Sequence, residues 1–154
     1  MRLRPYEPED LDILLALFTD AVRRIACRDY TEAQTRAWAP EEPDRAVWAT
    51  QLLSTDTLVA EEQSEIVGFA SWEPNGHIDL LYVHADHQRR GVARALVTAI
   101  ENEAYRRGLS RLLTEASLTA RAVFERCGFL IVTQQTVVLR GETFVNFRME
   151  KVLP

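Results

Sequence analysis

The stretch Gln88-Arg89-Arg90-Gly91-Val92-Ala93 decides the fold. It lies between an apolar run typical of a strand, residues 78–83, and a long amphipathic segment, residues 90–107, that predicts a helix. The first N–H groups of a helix have no partner inside it, and the helix dipole adds partial positive charge there. A turn of small residues at this point is therefore an anion site that suits a phosphate.

Two features of this turn suit a pyrophosphate. Gly91 has no Cβ and Ala93 has only a methyl group, so a ligand can approach the main chain closely. Arg89 and Arg90 add positive charge at the rim. A small-residue turn into a helix more often serves packing than ligand binding. Other motifs in the chain are therefore needed to distinguish the two roles.

The composition predicts one domain, residues 1–154, because 47% of the residues are hydrophobic and suffice for a single core. The formal net charge of −5 argues against nucleic acid as a partner and permits a small phosphate-bearing ligand. No segment approaches the ~18 uninterrupted apolar residues of a membrane span, so we expect no membrane partner and a cytoplasmic location. Cys27 and Cys127 lack metal-type spacing and are predicted to be reduced thiols.

The predicted elements alternate between strands and helices, which indicates an α/β fold. Strands are predicted at residues 3–5, 57–61, 66–72, 78–83, 112–116, 129–138 and 144–151. Helices are predicted at residues 11–26, around Trp38, around Trp48, at 90–107 and at 119–126. Thr31 and Gln34 form a predicted capping box before Trp38, Thr119 is the predicted cap of the last helix, and Gly108 ends the long one.

Three motifs, in order, resemble the GCN5-related N-acetyltransferase (GNAT) superfamily. They are the strand at residues 79–83, the turn at 88–93, which fits the family's Gln/Arg-x-x-Gly-x-Gly/Ala, and residues 124–129, which fit a late aromatic-x-x-x-Gly-Phe. The resemblance covers nearly the whole chain. Within the superfamily, the insertion that carries Trp38 and the Phe-rich end are similar to the small bacterial acetyltransferases of the YafP-like group.

The resemblance implies a single-domain fold with a mixed, mostly antiparallel central sheet, splayed at a cofactor cleft and flanked by helices. It implies acetyl-CoA as cosubstrate, with the pyrophosphate on the turn and the pantetheine arm along the strand edge. An unpaired strand edge suits such an amide-bearing arm, and we expect the Val83 N–H to polarise the thioester carbonyl. The expected cofactor-binding residues are Leu81, Tyr82, Val83, Gln88, Arg89, Arg90, Gly91, Val92, Ala93, Arg94, Ser117 and Phe124.

Phe124 departs from the family pattern. Many members carry a tyrosine at this position, whose hydroxyl protonates the leaving CoA thiolate, and Phe has no proton to give. A water, Tyr82, Tyr30 or the Cys127 thiol is left for that role. Alternatively the thiolate leaves unassisted, since a thiol with a pKa near ~8.5 is already a good leaving group.

The acceptor amine has to lose a proton before it attacks, which requires a carboxylate or an imidazole near the cleft. His77 and Asp79 are predicted to alternate with Leu81 on one face of the central strand. The resemblance places His77 where histone-modifying members carry a base glutamate. A turn histidine and a structural carboxylate are the alternatives, and Asp79 is favoured because an Asp in an apolar strand must be paired or poised.

Tyr30, Trp38 and Glu73 are the candidates for the acceptor site, which helical insertions border in this superfamily. Core packing is the more common role for an aromatic residue like Trp38, and a solvated strand end is the more common one for Glu73. Ser117 either touches the ligand or caps the next helix. No metal site is predicted, because the two loop histidines before the phosphate turn have no acidic or thiol partners.

The sequence thus predicts an acetyl-CoA-dependent N-acetyltransferase in which an amine attacks the thioester directly in a ternary complex. A non-catalytic acyl-CoA sensor remains an alternative. A small-molecule amine and a protein amine both remain as acceptors. The terminal hairpin offers an edge through which a homodimer could form.

Overall fold

The computed structural model describes residues 1–154 as an α/β fold on one seven-stranded sheet. The strands are β1 (Arg2–Pro5), β2 (Asp56–Glu62), β3 (Glu65–Trp72), β4 (His77–Val83), β5 (Arg111–Ser117), β6 (Leu130–Leu139) and β7 (Glu142–Val152). Their order across the sheet is β1-β2-β3-β4-β5-β7-β6. Only the β4–β5 pair is parallel, so the predicted mixed, mostly antiparallel sheet is confirmed.

Five helices flank the sheet: α1 (Leu11–Arg24), α2 (Glu32–Trp38), α3 (Arg45–Ser54), α4 (Val92–Arg106) and α5 (Arg121–Arg126). The predicted capping box of α2 is present, because Thr31 Oγ1 accepts the Gln34 N–H and the Gln34 side chain accepts the Thr31 N–H. No helix combines the length and the apolar character that a membrane crossing requires.

Two helix starts differ from the prediction. α4 begins at Val92 and not at residue 90, because Arg89 and Gly91 adopt left-handed φ angles of 61° and 81°. Thr119 does not cap α5, since its hydroxyl donates to Asp29 Oδ2 at 2.9 Å. Ser117 Oγ instead accepts the Ala120 N–H at 3.0 Å, which is the capping alternative for this serine.

Two clusters of buried side chains pack on opposite faces of the sheet. One forms under α4 and includes Leu96, Ile100 and Trp72. The other forms under α1 and includes Leu14 and Phe18. A cleft that opens through the sheet therefore has a separate apolar layer on each side.

A β-bulge in β4 interrupts the alternation of its side chains. Ser71 of β3 pairs with Leu80, and Trp72 pairs with Ile78, so Asp79 is the extra residue. After the bulge, Leu80 packs with the α1 cluster and Leu81 with the α4 cluster. The predicted shared face of His77, Asp79 and Leu81 is therefore wrong for Leu81, because one inserted residue shifts the side-chain period of two.

Candidate active site

The strands β4 and β5 separate soon after they meet. They pair only at His77–Leu113 and Ile78–Thr114, and farther along the chain β5 pairs with β7 alone. The Thr114 hydroxyl donates to Ile78 O at 2.9 Å and holds the two strands together at the fork. The predicted splay in the sheet is confirmed.

The β4 edge that faces this split carries free backbone groups. The His84 N–H donates to Val67 O at 2.8 Å, and antiparallel ladders alternate, so the N–H and C=O groups of Tyr82 face β3. Those of Leu81 and Val83 consequently point into the split. Gln88 Nε2 donates to Val83 O at 3.0 Å. The N–H groups of Leu81 and Val83 remain for an extended ligand.

The turn before α4 presents a row of unpaired amides. None of the backbone N–H groups from Arg89 to Arg94 donates to another group of the protein, and the first helical bond runs from the Ala95 N–H to Gly91 O. A Cβ built on Gly91 would meet no atom within 4 Å. The side chains of Arg89, Arg90 and Arg94 are exposed and form no ion pair. These groups are free to bind a phosphate.

Gln88 fixes this turn and does not simply border it. Its side-chain amide donates to both Val83 O and His84 O, at 3.0 and 3.2 Å. The two bonds tie the end of β4 to the start of the turn. The predicted cofactor residue Gln88 therefore positions the main chain at the start of this turn.

A cavity of about 150 Å³ lies in the split. It is lined by α1, Trp38, β4, β5 and the start of α5, and it is open to solvent on one side. Its charged lining residues are Asp79 and Glu115. Most of the remaining lining residues are apolar, so the cavity combines a hydrophobic surface with two carboxylates.

His77 lies between two carboxylates. Its Nδ1 is 3.0 Å from Glu73 Oε1 and its Nε2 is 2.5 Å from Glu115 Oε2. Burial lowers the pKa of His77, but the hydrogen bonds to Glu73 and Glu115 outweigh it, so the pKa is raised above 6.5. An imidazole that donates from both nitrogens is an imidazolium without a free lone pair, so His77 in this state is not a base.

Asp79 is the carboxylate that the bulge directs into the cavity. Gln51 Nε2 of α3 donates to its Oδ2. Desolvation raises the pKa of Asp79, and the bond from Gln51 and the charge of His77 offset part of that rise. A carboxyl group with a raised pKa accepts a proton more readily than an ordinary aspartate.

Tyr82 and Trp38 form one hydrogen-bonded pair at the cavity wall. Trp38 Nε1 donates to the Tyr82 hydroxyl at 3.1 Å, and the Tyr82 ring meets Phe18 edge-on at 4.9 Å between centroids. Burial raises the pKa of Tyr82. Its hydroxyl stays protonated and is a poor acid toward a thiolate, although it can still donate a hydrogen bond to a ligand.

Tyr30 does not line the cavity, in contrast to Trp38. Its buried hydroxyl donates to Val145 O at 2.9 Å and accepts the Leu118 N–H at 2.8 Å. Both capacities of the hydroxyl are therefore used inside the protein. Glu73, the other predicted acceptor residue, also lies outside the cavity lining, but its carboxylate hydrogen-bonds to His77 and lies within 4.8 Å of the Asp79 carboxylate.

Phe124 and Ser117, two of the predicted cofactor residues, both line the cavity. Phe124 is 2% exposed, and its ring centroid lies 5.1 Å from that of Phe129. The Ser117 hydroxyl accepts the Ala120 N–H and donates to no other group of the protein. Cys127 is not part of the lining, and burial raises the pKa of its thiol, so it is poorly placed to replace the missing tyrosine.

Sequence reasoning missed Glu115 and Gln51. For Glu115 a signal existed, because the buried positions Leu112, Thr114 and Ala116 alternate with it on β5. Only the short parallel pairing of β4 and β5 brings Glu115 to His77, however. Gln51 carried no signal, since its contact with Asp79 joins α3 to a bulge that the sequence pattern does not show.

Comparisons with known proteins agree with this geometry. A family model described as an acetyltransferase (GNAT) domain matches residues 26–151. The uncharacterized N-acetyltransferase YafP of Escherichia coli (strain K12) is 39% identical over 150 residues, which span 97% of this chain and 94% of that protein. The crystal structure of a GCN5-related N-acetyltransferase from Rhodopseudomonas palustris is 39% identical, with a TM-score of 0.95 over 99% of this chain and 95% of that one.

A more distant structure shows the same fold with a ligand. It is yncA of Salmonella typhimurium with its cofactor acetyl-CoA, which is 24% identical and has a TM-score of 0.70 over 100% of this chain and 94% of that one.

The chain belongs to the GNAT family of acetyltransferases. Within that family it falls with the YafP-like bacterial proteins, and it is an N-acetyltransferase.

Proposed function

We propose that this protein transfers the acetyl group of acetyl-CoA to a small cationic amine by direct attack in a ternary complex. The observation that carries the proposal is the split between β4 and β5, which joins the free amides before α4 to the carboxylates of Asp79 and Glu115. The presence of acetyl-CoA in the structure of yncA supports the cosubstrate.

The direction of β4 determines how the cosubstrate lies. The pyrophosphate binds the amides of residues 89–94, next to the end of β4 at Val83. The pantetheine arm then runs back along the edge, from Val83 toward the bulge at Asp79. The N–H of Leu81 is nearer to the carboxylates than that of Val83, so Leu81 polarises the thioester carbonyl and Val83 holds the arm.

Asp79 accepts the proton of the acceptor amine, directly or through a water. Its raised pKa makes it the better base, whereas Glu115 is paired with the His77 imidazolium. Two carboxylates in one apolar cavity also attract a cationic amine before its deprotonation. His77 and Glu73 hold Glu115 in place and do not touch the acceptor.

The acceptor is small because the side of the cavity next to α2 is closed. Gln34 Nε2 donates to Thr143 O at 2.7 Å, and Arg140 Nη1 donates to Ala37 O at 2.6 Å. The Phe144 ring packs against Trp38 with 6.3 Å between centroids. These contacts join α2 to the β6–β7 hairpin, which leaves no open groove for a peptide between them.

The thiolate leaves without a protein acid. Phe124 has no hydroxyl, Tyr82 is a weak acid, and the Tyr30 hydroxyl is fully engaged. A thiolate with a conjugate acid pKa of ~8.5 is a sufficiently good leaving group for this. A non-catalytic sensor is disfavoured, since it would have no use for two carboxylates held in the cavity.

Thiol release from acetyl-CoA with a panel of small aliphatic and aromatic amines, and with peptides, tests the proposal. We expect release with a small amine, intersecting initial-rate lines, and a large loss of kcat in Asp79→Asn but not in the surface control Glu65→Gln. Parallel lines would exclude direct attack. Tight acetyl-CoA binding without release for any amine would identify a sensor, and release with peptides alone would identify a protein acceptor.

A further inference from the structure

We propose that two copies of this chain pair through the outer edge of β6 in a two-fold antiparallel arrangement centred on Gln135, which extends the sheet across the dimer. The juxtaposition that carries the inference is a bare, uncharged edge strand whose sequence has nearly the same pattern in both directions.

The edge of β6 is open. β6 is the outermost strand and pairs only with β7. The turn Arg140-Gly141 has φ angles of 46° and 80°, as in a two-residue type I′ hairpin, whose flanking residues Leu139 and Glu142 form a hydrogen-bonded pair. Ladder alternation then directs the N–H and C=O groups of Gln134, Thr136 and Val138 away from β7.

This edge lacks the usual protection against pairing. Natural edge strands carry charged residues or proline, and residues 130–139 contain neither. Leu130 is 75% exposed and Val138 is 73% exposed. The only irregularity in the pairing of β6 is the bulge at Val132, which lies near one end of the strand.

The sequence of β6 complements itself. Residues 130–139 read Leu-Ile-Val-Thr-Gln-Gln-Thr-Val-Val-Leu, with three aliphatic residues at each end and Thr-Gln-Gln-Thr between them. In an antiparallel pair of identical strands, the polar centre meets a polar centre and each aliphatic end meets the other end. Such cross-strand matches stabilise sheets.

The faces of the sheet fix the register. A two-fold axis normal to the sheet keeps each face on its own side, so one residue has to face its own copy. With Gln135 at the axis, Gln134 lies opposite Thr136 of the second copy. Because Val132 is the extra residue of the bulge, Val138 is then opposite Ile131 and Leu139 is opposite Leu130 of the second copy. Every residue of β6 except Val132 therefore has a partner.

Charge and area make pairing with a second copy weak but allow it at this strand. Two chains with a net charge of −5 repel each other, and an uncharged strand is where that repulsion is least. A contact through a single strand edge is small, and interfaces below about 1,200 Å² in total are typically weak and transient. The dimer should therefore dissociate on dilution.

Sedimentation velocity over a range of concentrations tests the dimer. We expect the mass of the wild type to rise from 17.6 kDa toward twice that value. Val138→Glu should stay monomeric, whereas Val47→Glu, a substitution on α3 at a residue that is 58% exposed, should dimerise like the wild type. Circular dichroism checks that both variants are folded. A monomeric wild type, or a dimeric Val138→Glu protein, overturns the proposal.

A cysteine at the axis tests the register. In a Cys27→Ser background, Gln135→Cys places two thiols at a non-hydrogen-bonded pair with Cα atoms ~4.5 Å apart, within disulfide range. Val137→Cys is the matched control, because its two copies lie four residues apart along the strands, ~13 Å. Oxidation should cross-link the first variant alone. Cross-linking of the control, or of neither variant, contradicts the register.

Discussion

The substitution Gly91→Asp should separate the effect on cosubstrate binding from any effect on folding. Gly91 has a φ of 81°, and a Cβ there meets no protein atom within 4 Å, so the apo protein has room for the new side chain. Gly108 offers a matched control at the other end of α4, with a φ of 81° and the same open surroundings. The same residue change at both ends of one helix therefore meets the same backbone strain.

The two variants should show opposite effects on stability and on binding. Left-handed backbone costs an L-residue about 1 kcal/mol or slightly more in the free energy of unfolding. The helix dipole stabilises a protein with an anion at the helix N-terminus by about 0.3–1 kcal/mol and destabilises one with an anion at the C-terminus by a similar amount. Gly91→Asp should consequently be nearly as stable as the wild type, and Gly108→Asp should be less stable by roughly 1.5–2 kcal/mol.

Binding of acetyl-CoA should follow the reverse order. A carboxylate about 5 Å from a phosphate charge opposes binding by roughly 3 kcal/mol at an effective dielectric constant of ~20. That free energy corresponds to an increase of about 100-fold in Kd for Gly91→Asp. Gly108→Asp should bind like the wild type, although it is the less stable of the two.

Calorimetric titration with acetyl-CoA, with thermal unfolding of the apo proteins, provides both measurements. S-acetylpantetheine, which has no pyrophosphate, is the second ligand, and its use as a substrate should not change in Gly91→Asp. A Kd for acetyl-CoA within threefold of the wild type in Gly91→Asp would refute the phosphate assignment. An equal loss of affinity in Gly108→Asp would show that the effect comes from a disturbed helix.

Three further predictions follow from the same contacts. Burial lowers the pKa of His77 but its two carboxylate partners raise it more, so its contribution to stability is present below pH 6.5 and disappears as the pH rises through the raised pKa. The difference in unfolding free energy between wild type and His77→Gln should therefore shrink as the pH rises above about 6.5, and a constant difference would contradict the imidazolium. Tyr30→Phe should cost about 2–4 kcal/mol in chemical denaturation, because it leaves Val145 O and the Leu118 N–H unpaired, while the KM for acetyl-CoA stays unchanged. Phe124→Tyr should change kcat less than about threefold, since a thiolate needs little help to leave, and a tenfold gain would show that protonation limits the rate.

The elements of the fold could be read from the sequence because each has a local cause. Gly91 and the free amides before α4 follow from the chain's own turn, and the Thr31–Gln34 capping box forms between residues three apart. The type I′ turn at Arg140-Gly141 likewise joins two strands that are neighbours in sequence. Such features need only short-range sterics and hydrogen bonds.

The proposed catalytic cluster could not be predicted in this way, because its members come from distant segments. Gln51 of α3 reaches Asp79, and Glu115 of β5 reaches His77. Tyr30 has the sequence context of an acceptor-site residue, yet its hydroxyl links β7 to the segment before α5. Each of these contacts depends on how whole elements pack.

The sequence by itself determined the family, the order of the strands and helices along the chain, and the turn before α4, since motifs, local periodicity, capping and glycine positions specify them. Only the tertiary structure decided which face each side chain of β4 occupies, since the bulge at Asp79 shifts the alternation by one residue. It also decided that the two carboxylates Asp79 and Glu115 share one cavity, because the split between β4 and β5 comes from sheet pairing between residues that are 36 apart in sequence.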